Sequence, residues 1–172
     1  MNLHVSQFAR RRAGTVQAAW PEWDGRPPNI HSTRRRSAAQ RAGIQYEKKV
    51  FSMLEAEFDL FLSHLPFRFV AEFGSERCIP DGIILSPRDR SLLTLVEVKH
   101  RHTADAWFQL KYLYYPVLRV AFPRHRIQLL EICKGYDPAV KIPERQQLVE
   151  DLASYVNGGG EVNGVYSWTG RW

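Results

Sequence analysis

Cysteine is scarce in this chain: Cys78 and Cys133 are the only two in 172 residues, and they stand far apart. That excludes a disulfide framework and the closely paired cysteines of a zinc ribbon, so both are expected to be buried thiols in a reducing compartment. Long apolar runs are missing too. No stretch approaches the ~18 residues that a membrane span requires. The basic N-terminus is not followed by an apolar segment of the secretory kind. Internal repeats and low-complexity tracts are also absent. What remains is ordinary globular composition, 44% hydrophobic and 24% charged, in a length suited to one domain with a real core. A cytoplasmic protein is the expectation.

Acidic residues are rare in one quarter only. Residues 1–41 carry Arg10, Arg11, Arg12, Arg26, Arg34, Arg35, Arg36 and Arg41 against Glu22 and Asp24, which accounts for the whole net charge of +6. The rest of the chain is balanced. Residues 1–41 therefore read as a basic N-terminal arm, made of loops with one short helix near Val5 to Ala18. Such an arm suits a polyanion, because each phosphate it neutralises releases counterions. A solvated, arginine-rich tail is the plainer alternative.

From residue 42 to 172 the pattern is that of a folded domain. "AGIQYEKKVFSMLEAEFDLFLSHL" places Ile44, Val50, Phe51, Leu54, Phe58, Phe61, Leu62 and Leu65 at helical spacing, and Pro66 should stop that helix. "FRFVAEF" alternates like a strand, with a turn at Gly74 and Ser75. Residues 79–85 and 92–99 read as two further strands joined by "SPRDRS". Thr103 is a natural N-cap for a helix that Pro116 should kink or shorten. "RIQLLEIC" is a fourth strand; Pro143 then introduces a C-terminal helix, and Asn163 and Gly164 centre a small terminal hairpin. The order α-β-β-β-α-β predicts an α/β fold, a four-stranded mixed sheet flanked by helices.

The two strands before that second helix carry charges where apolar residues belong. Alternation puts Leu93, Leu95, Glu97 and Lys99 on one face. With the turn centred near Asp89, an unbulged hairpin pairs Asp81 with Glu97, their Cβ atoms roughly 4.5–5.5 Å apart. Opposed carboxylates repel, and a hard divalent cation would offset that cost, since Mg²⁺ takes oxygen ligands from one or two carboxylates. Lys99, on the same face, adds a positive charge that suits activation of water and stabilisation of a phosphorane.

Pro80-Asp81 and Glu97-Val98-Lys99, in this element order, resemble the PD-(D/E)xK nuclease superfamily with its restriction-endonuclease-like core. The resemblance covers about residues 43–133. It implies that Asp81 and Glu97 bind Mg²⁺, for which Mn²⁺ would substitute, with the Val98 carbonyl as a third ligand and Lys99 serving the attacking water. Glu47, following Gly43 on the first helix, matches a glutamate found in Holliday-junction resolvases and phage-type exonucleases and would join the metal ligands. Gln109 matches a glutamine used after the motif in several groups, although Leu113 stands where the exonucleases place tyrosine.

The function so implied is a Mg²⁺-dependent deoxyribonuclease, endo- or exonucleolytic and more naturally structure-selective. A homodimer would suit cutting of duplex or junction DNA. Nucleic-acid contacts are expected from Arg10, Arg11, Arg12, Arg34, Arg35, Arg36, Arg101, His102 and Lys111, with Trp107, Tyr112 and Tyr114 as stacking surfaces or core. A non-catalytic nucleic-acid-binding or assembly protein on the same fold is the competing class, and RNA is an alternative substrate.

Overall fold

A computed structural model describes residues 16–24, 36–72, 74–159 and 163–170. Arg10, Arg11, Arg12, Arg34 and Arg35, and the short helix expected near the N-terminus up to residue 15, lie outside them.

The first helix, α1 (Ala38–Glu57), begins with a reciprocal cap. The Ser37 hydroxyl accepts from the Gln40 N–H at 3.1 Å, while the Gln40 side chain accepts from the Ser37 N–H at 2.9 Å. Its buried stripe is Tyr46, Val50, Met53 and Leu54, at helical spacing. The helix ends earlier than the periodicity predicts. Phe58 turns extended (φ −129°, ψ 114°), and Phe61–Ser63 becomes β2. Tertiary pairing overrides the helical pattern here, because Phe61 packs against Phe51 with ring centres 5.6 Å apart. The Phe61 ring also lies over Gly82, where an added Cβ would come within 2.4 Å of it.

Two sheets follow. The smaller one is antiparallel and combines β1 (Ala18–Pro21), β3 (Phe67–Ala71) and β4 (Gly74–Cys78) in the order β1-β3-β4. "FRFVA" does not join the motif strands in one four-stranded sheet, and Gly74, expected to turn the chain, begins a strand, its φ of 118° easing the entry. Ala18–Pro21, in the stretch expected to be loop, pairs with β3 from Ala18↔Val70 to Pro21↔Phe67.

The larger sheet has six strands, not four, in the order β2-β5-β6-β7-β9-β8. β5 (Gly82–Leu85) pairs antiparallel with β2 and with β6 (Leu92–Lys99). β7 (Arg126–Cys133), β9 (Asn163–Ser167) and β8 (Gln147–Val149) extend the sheet in parallel. The extra strands come from the C-terminal region. Gln147–Val149 is a strand where a helix was expected, and only Leu152–Ser154 (α4) with the widened turn Tyr155–Gly159 is helical. Asn163–Ser167 is one strand between β7 and β8 rather than a hairpin.

The crossover from β6 to β7 is helical, as the parallel pairing requires. Thr103 caps α2 (Ala104–Gln109) by accepting from Ala106 N–H at 3.4 Å. A π-helical turn, Leu110–Tyr114, then leads into α3 (Tyr115–Ala121), whose first turn holds Pro116. Proline has no N–H to donate, so the helix widens before it, and Tyr115 N–H reaches back to the Leu110 carbonyl.

Each face of the large sheet has its own core. Ile84, Val96, Val98, Leu130 and Ile132 meet α1 through Tyr46, Val50, Met53 and Leu54. Ile83, Leu93, Leu95 and Leu129 meet Leu110, Tyr114, Val117 and Leu118, together with Phe67 and Phe69 of the small sheet. The molecule is therefore a mixed α/β fold with helices on both faces of a mixed sheet.

Candidate functional site

The hairpin register is the one the sequence implies: Gly82↔Val96, Ile83↔Leu95, Ile84↔Thr94 and Leu85↔Leu93. Asp81, one residue ahead of β5, therefore stands across from Glu97. Its Oδ2 accepts from the Val98 N–H at 2.7 Å, which fixes the carboxylate against β6. Gly82 sets this corner, since the Phe61 ring fills the space a side chain there would need.

Glu97 is 1% exposed. Its Oε1 accepts from the Lys99 ammonium, while its Oε2 is buried with no hydrogen-bond partner. One strand over, β6 and β7 align Glu97↔Glu131. Asp81, Glu97 and Glu131 thus form a row of carboxylates across three neighbouring strands. Burial pushes Glu97 up to about 8, with the Asp81 charge adding to the effect and Lys99 opposing it. Asp81 is raised by burial, against the pull of the Val98 N–H and Lys99. Glu131 is pushed up to about 7, again by burial, with the Thr103 N–H and Lys99 working the other way. For Lys99, burial disfavours the charge, but Glu97 and Asp81 outweigh it and raise its pKa. The row is a site of stored electrostatic cost, which a cation would relieve.

The first-helix glutamate arrives by a route the sequence did not reveal. Glu47 Oε1 meets His64 Nε2 at 3.0 Å. His64 follows β2, carries a left-handed φ of 52°, and donates its backbone N–H to the Asp81 carbonyl at 3.0 Å. Ligand atoms of Glu47, His64 and Asp81 all lie within 4.8 Å of one another. Positive φ in a non-glycine residue is a strained conformation held by its surroundings. His64 could not have been found from its neighbours in "FLSHLP", which read as helix. Glu131 could have been, because it interrupts the apolar strand "RIQLLEIC" just as Glu97 interrupts its own. Tyr114, expected as a stacking surface or core residue, is buried, and burial and the Glu97 and Asp81 charges raise its hydroxyl pKa.

Other expected residues fall elsewhere. Gln109 closes α2, partly buried and outside the hydrogen bonds just described. Arg36 and Arg101 are exposed. Lys111 lies 3.5 Å from Glu144 and 5.5 Å from the centre of the Tyr115 ring. His102 does not face solvent: it is 5% exposed, and its Nδ1 meets Glu131 Oε2 at 2.9 Å. An imidazole so enclosed is no surface contact for phosphate. Trp107 is 1% exposed and Tyr114 is buried, so both belong to the core.

A groove of about 600 Å³ opens beside Lys99, between Ala38, Ala39 and Ala42 of α1 and the segment His100, Arg101 and Thr103. The adjoining hollow is lined by Gln45, Lys49, His100 and Lys134 among others. Neither lining includes an acidic residue. No helix among the described residues is long and apolar enough to cross a membrane. The chain matches no family model, no curated protein and no solved structure.

Proposed function

We propose that the protein is a Mg²⁺-dependent nuclease of restriction-endonuclease-like build, acting on DNA phosphodiesters. The observation that carries this reading is the state of Glu97. It is a buried carboxylate opposite Asp81, with one oxygen on Lys99 and the other unpartnered. A buried polar atom without a partner is costly, and a structural role gives no reason to retain it. Hard oxygen donors of this kind are what Mg²⁺ takes, and the nearby His64 nitrogen suits Mn²⁺ as a substitute.

Asp81 and Glu97 would hold the ion, with Glu47 approaching from the α1 side through His64. A divalent ion there would supply Lewis acidity toward a phosphoryl oxygen and make water easier to deprotonate. The chain's own contribution is orientation and charge. Lys99 sits at the end of β6, half in the groove and half against Glu97, where its ammonium can align the attacking water or offset charge on the phosphoryl oxygens. The water oxygen attacks phosphorus in line with the P–O bond that breaks. The leaving oxygen gains a proton and the product phosphate keeps the new oxygen. The acid-free groove beside Lys99, with Arg101, Lys49 and Lys134 on its margins, supports a backbone-binding path that does not read sequence.

The test is cleavage of labelled linear duplex, single strand, flap and four-way-junction DNA with Mg²⁺, with Mn²⁺ and with EDTA. Metal-dependent cutting, lost in Asp81→Ala and Lys99→Ala, is the expected result, with a branched substrate preferred. Binding without cutting under every condition would overturn the enzyme and leave a nucleic-acid-binding domain.

A further inference from the structure

At the Glu131 end of the carboxylate row, and including that residue, lies a second cluster with different chemistry. Glu131 and Cys133 alternate onto the same face of β7, and the segment leaving β6 brings His102 to them. Ligand atoms of His102, Glu131 and Cys133 all lie within 4.8 Å of one another, and all three residues are buried. We propose that His102, Glu131 and Cys133 form a transition-metal site of the zinc class, separate from the all-carboxylate site of Asp81 and Glu97.

The spacing supports it. Donors bound about 2.0–2.3 Å from one tetrahedral ion stand roughly 3.3–3.7 Å from each other. The His102–Glu131 separation of 2.9 Å is a hydrogen bond that a shared ion would open by a few tenths of an ångström, and the Cys133 sulfur, within 4.8 Å of both, is the third donor. Surrounding groups hold the donors in place. Thr103 N–H reaches Glu131 Oε1 at 3.3 Å, and the Tyr136 ring lies tilted against His102 with centres 4.9 Å apart. The thiol is pushed up to about 12 by burial and by Glu131, while the Gly135 N–H favours its thiolate. A hydrogen-bonded His–Glu pair alone would account for two of these residues and leave Cys133 coincidental.

Ligand softness decides the ion. Sulfur with imidazole favours Zn²⁺ or Co²⁺ over Mg²⁺, whereas the oxygen donors of Asp81 and Glu97 favour the reverse. Binding expels the Cys133 thiol proton to solvent, together with any proton on Glu131; the neutral imidazole keeps its single N–H on the nitrogen not bound. No electron changes hands. The ion would clamp residues 100–103, which carry Arg101 along the groove, to β7.

The experiment is titration of Co²⁺ into the full chain, stripped of metal and kept reduced. One equivalent producing a thiolate-to-cobalt charge-transfer band in the near ultraviolet is expected. Zn²⁺ should remove the band at one equivalent and excess Mg²⁺ should not. Cys133→Ser should abolish it, Cys78→Ser and Glu97→Gln should retain it, and His102→Gln should weaken Co²⁺ binding at least about tenfold. A wild-type spectrum without the band overturns the proposal whatever the variants do, as does a band that survives Cys133→Ser. Neither result bears on the nuclease reading, because its residues contain no sulfur.

Discussion

β6 and β7 run side by side and bury two polar rows three residues apart, Thr94↔Gln128 and Glu97↔Glu131. The first is neutral and closed. Gln128 Nε2 donates to Thr94 Oγ1 at 2.8 Å and to the Tyr155 carbonyl at 2.7 Å. The second is ionisable and open: both carboxyls are raised, and one Glu97 oxygen has no partner. The same two strands therefore hold a polar row that serves packing and one that packing cannot explain. Most polar groups buried for structure are satisfied within it, and an unpartnered carboxylate oxygen costs more than a neutral donor such as the buried Trp107 Nε1, which also has no partner. Groups placed for a ligand are left with capacity to spare.

The largest test of that contrast separates activity from stability. Asp81→Asn and Glu97→Gln should lower metal-dependent cutting by at least about 10²–10³-fold while the far-ultraviolet spectrum and cooperative melting persist. Gln128→Ala should do the opposite. It removes a buried amide and both of its hydrogen bonds, costing about 2–3 kcal/mol in urea unfolding, with the metal requirement for cutting unchanged. A Gln128 variant that lost activity while keeping its stability would erase the distinction between the rows.

pH sharpens it further. The folded-state pKa of Glu97 lies above the ordinary 4.5, at about 8, so folding favours its protonated form. Stability from that proton is fully present below pH ~4.5 and is lost as pH rises through 8. The metal-free wild type should therefore melt progressively lower than Glu97→Gln between pH 5 and pH 9. A gap that stays flat with pH would mean Glu97 is not a buried, uncompensated acid. Mg²⁺ should stabilise wild type by up to ~2.7 kcal/mol when present at a hundred times its dissociation constant and leave Glu97→Gln nearly unmoved. The smallest effect is expected at Lys111→Ala: its 3.5 Å pairing with Glu144 is partly exposed, so unfolding should shift by under ~0.5 kcal/mol.

Much of the candidate site was legible because it depends on local alternation. Asp81, Glu97 and Lys99 are charges inside apolar strands, and a turn near Asp89 leaves one register in which their apolar neighbours stay buried. The Thr103 cap and the effect of Pro116 were equally local. His64 was hidden because its place follows from β2 pairing with β5, a contact made across residues that carry a helical pattern. His102, expected among the nucleic-acid contacts, was hidden in a similar way: the turn into α2 buries it on Glu131, a residue of another strand.

By itself, then, the sequence determined the α/β class, the β5–β6 register and the face on which three charged residues stand, since side-chain direction along a strand or helix follows from backbone geometry over a few residues. Only the tertiary structure decided that β3 leaves the motif strands for a second sheet, that residues 147–149 and 163–167 are strands, and that Glu131, His64 and His102 gather beside Asp81 and Glu97. Those outcomes depend on which distant segments meet, and a strand edge accepts a partner through backbone groups that every sequence shares.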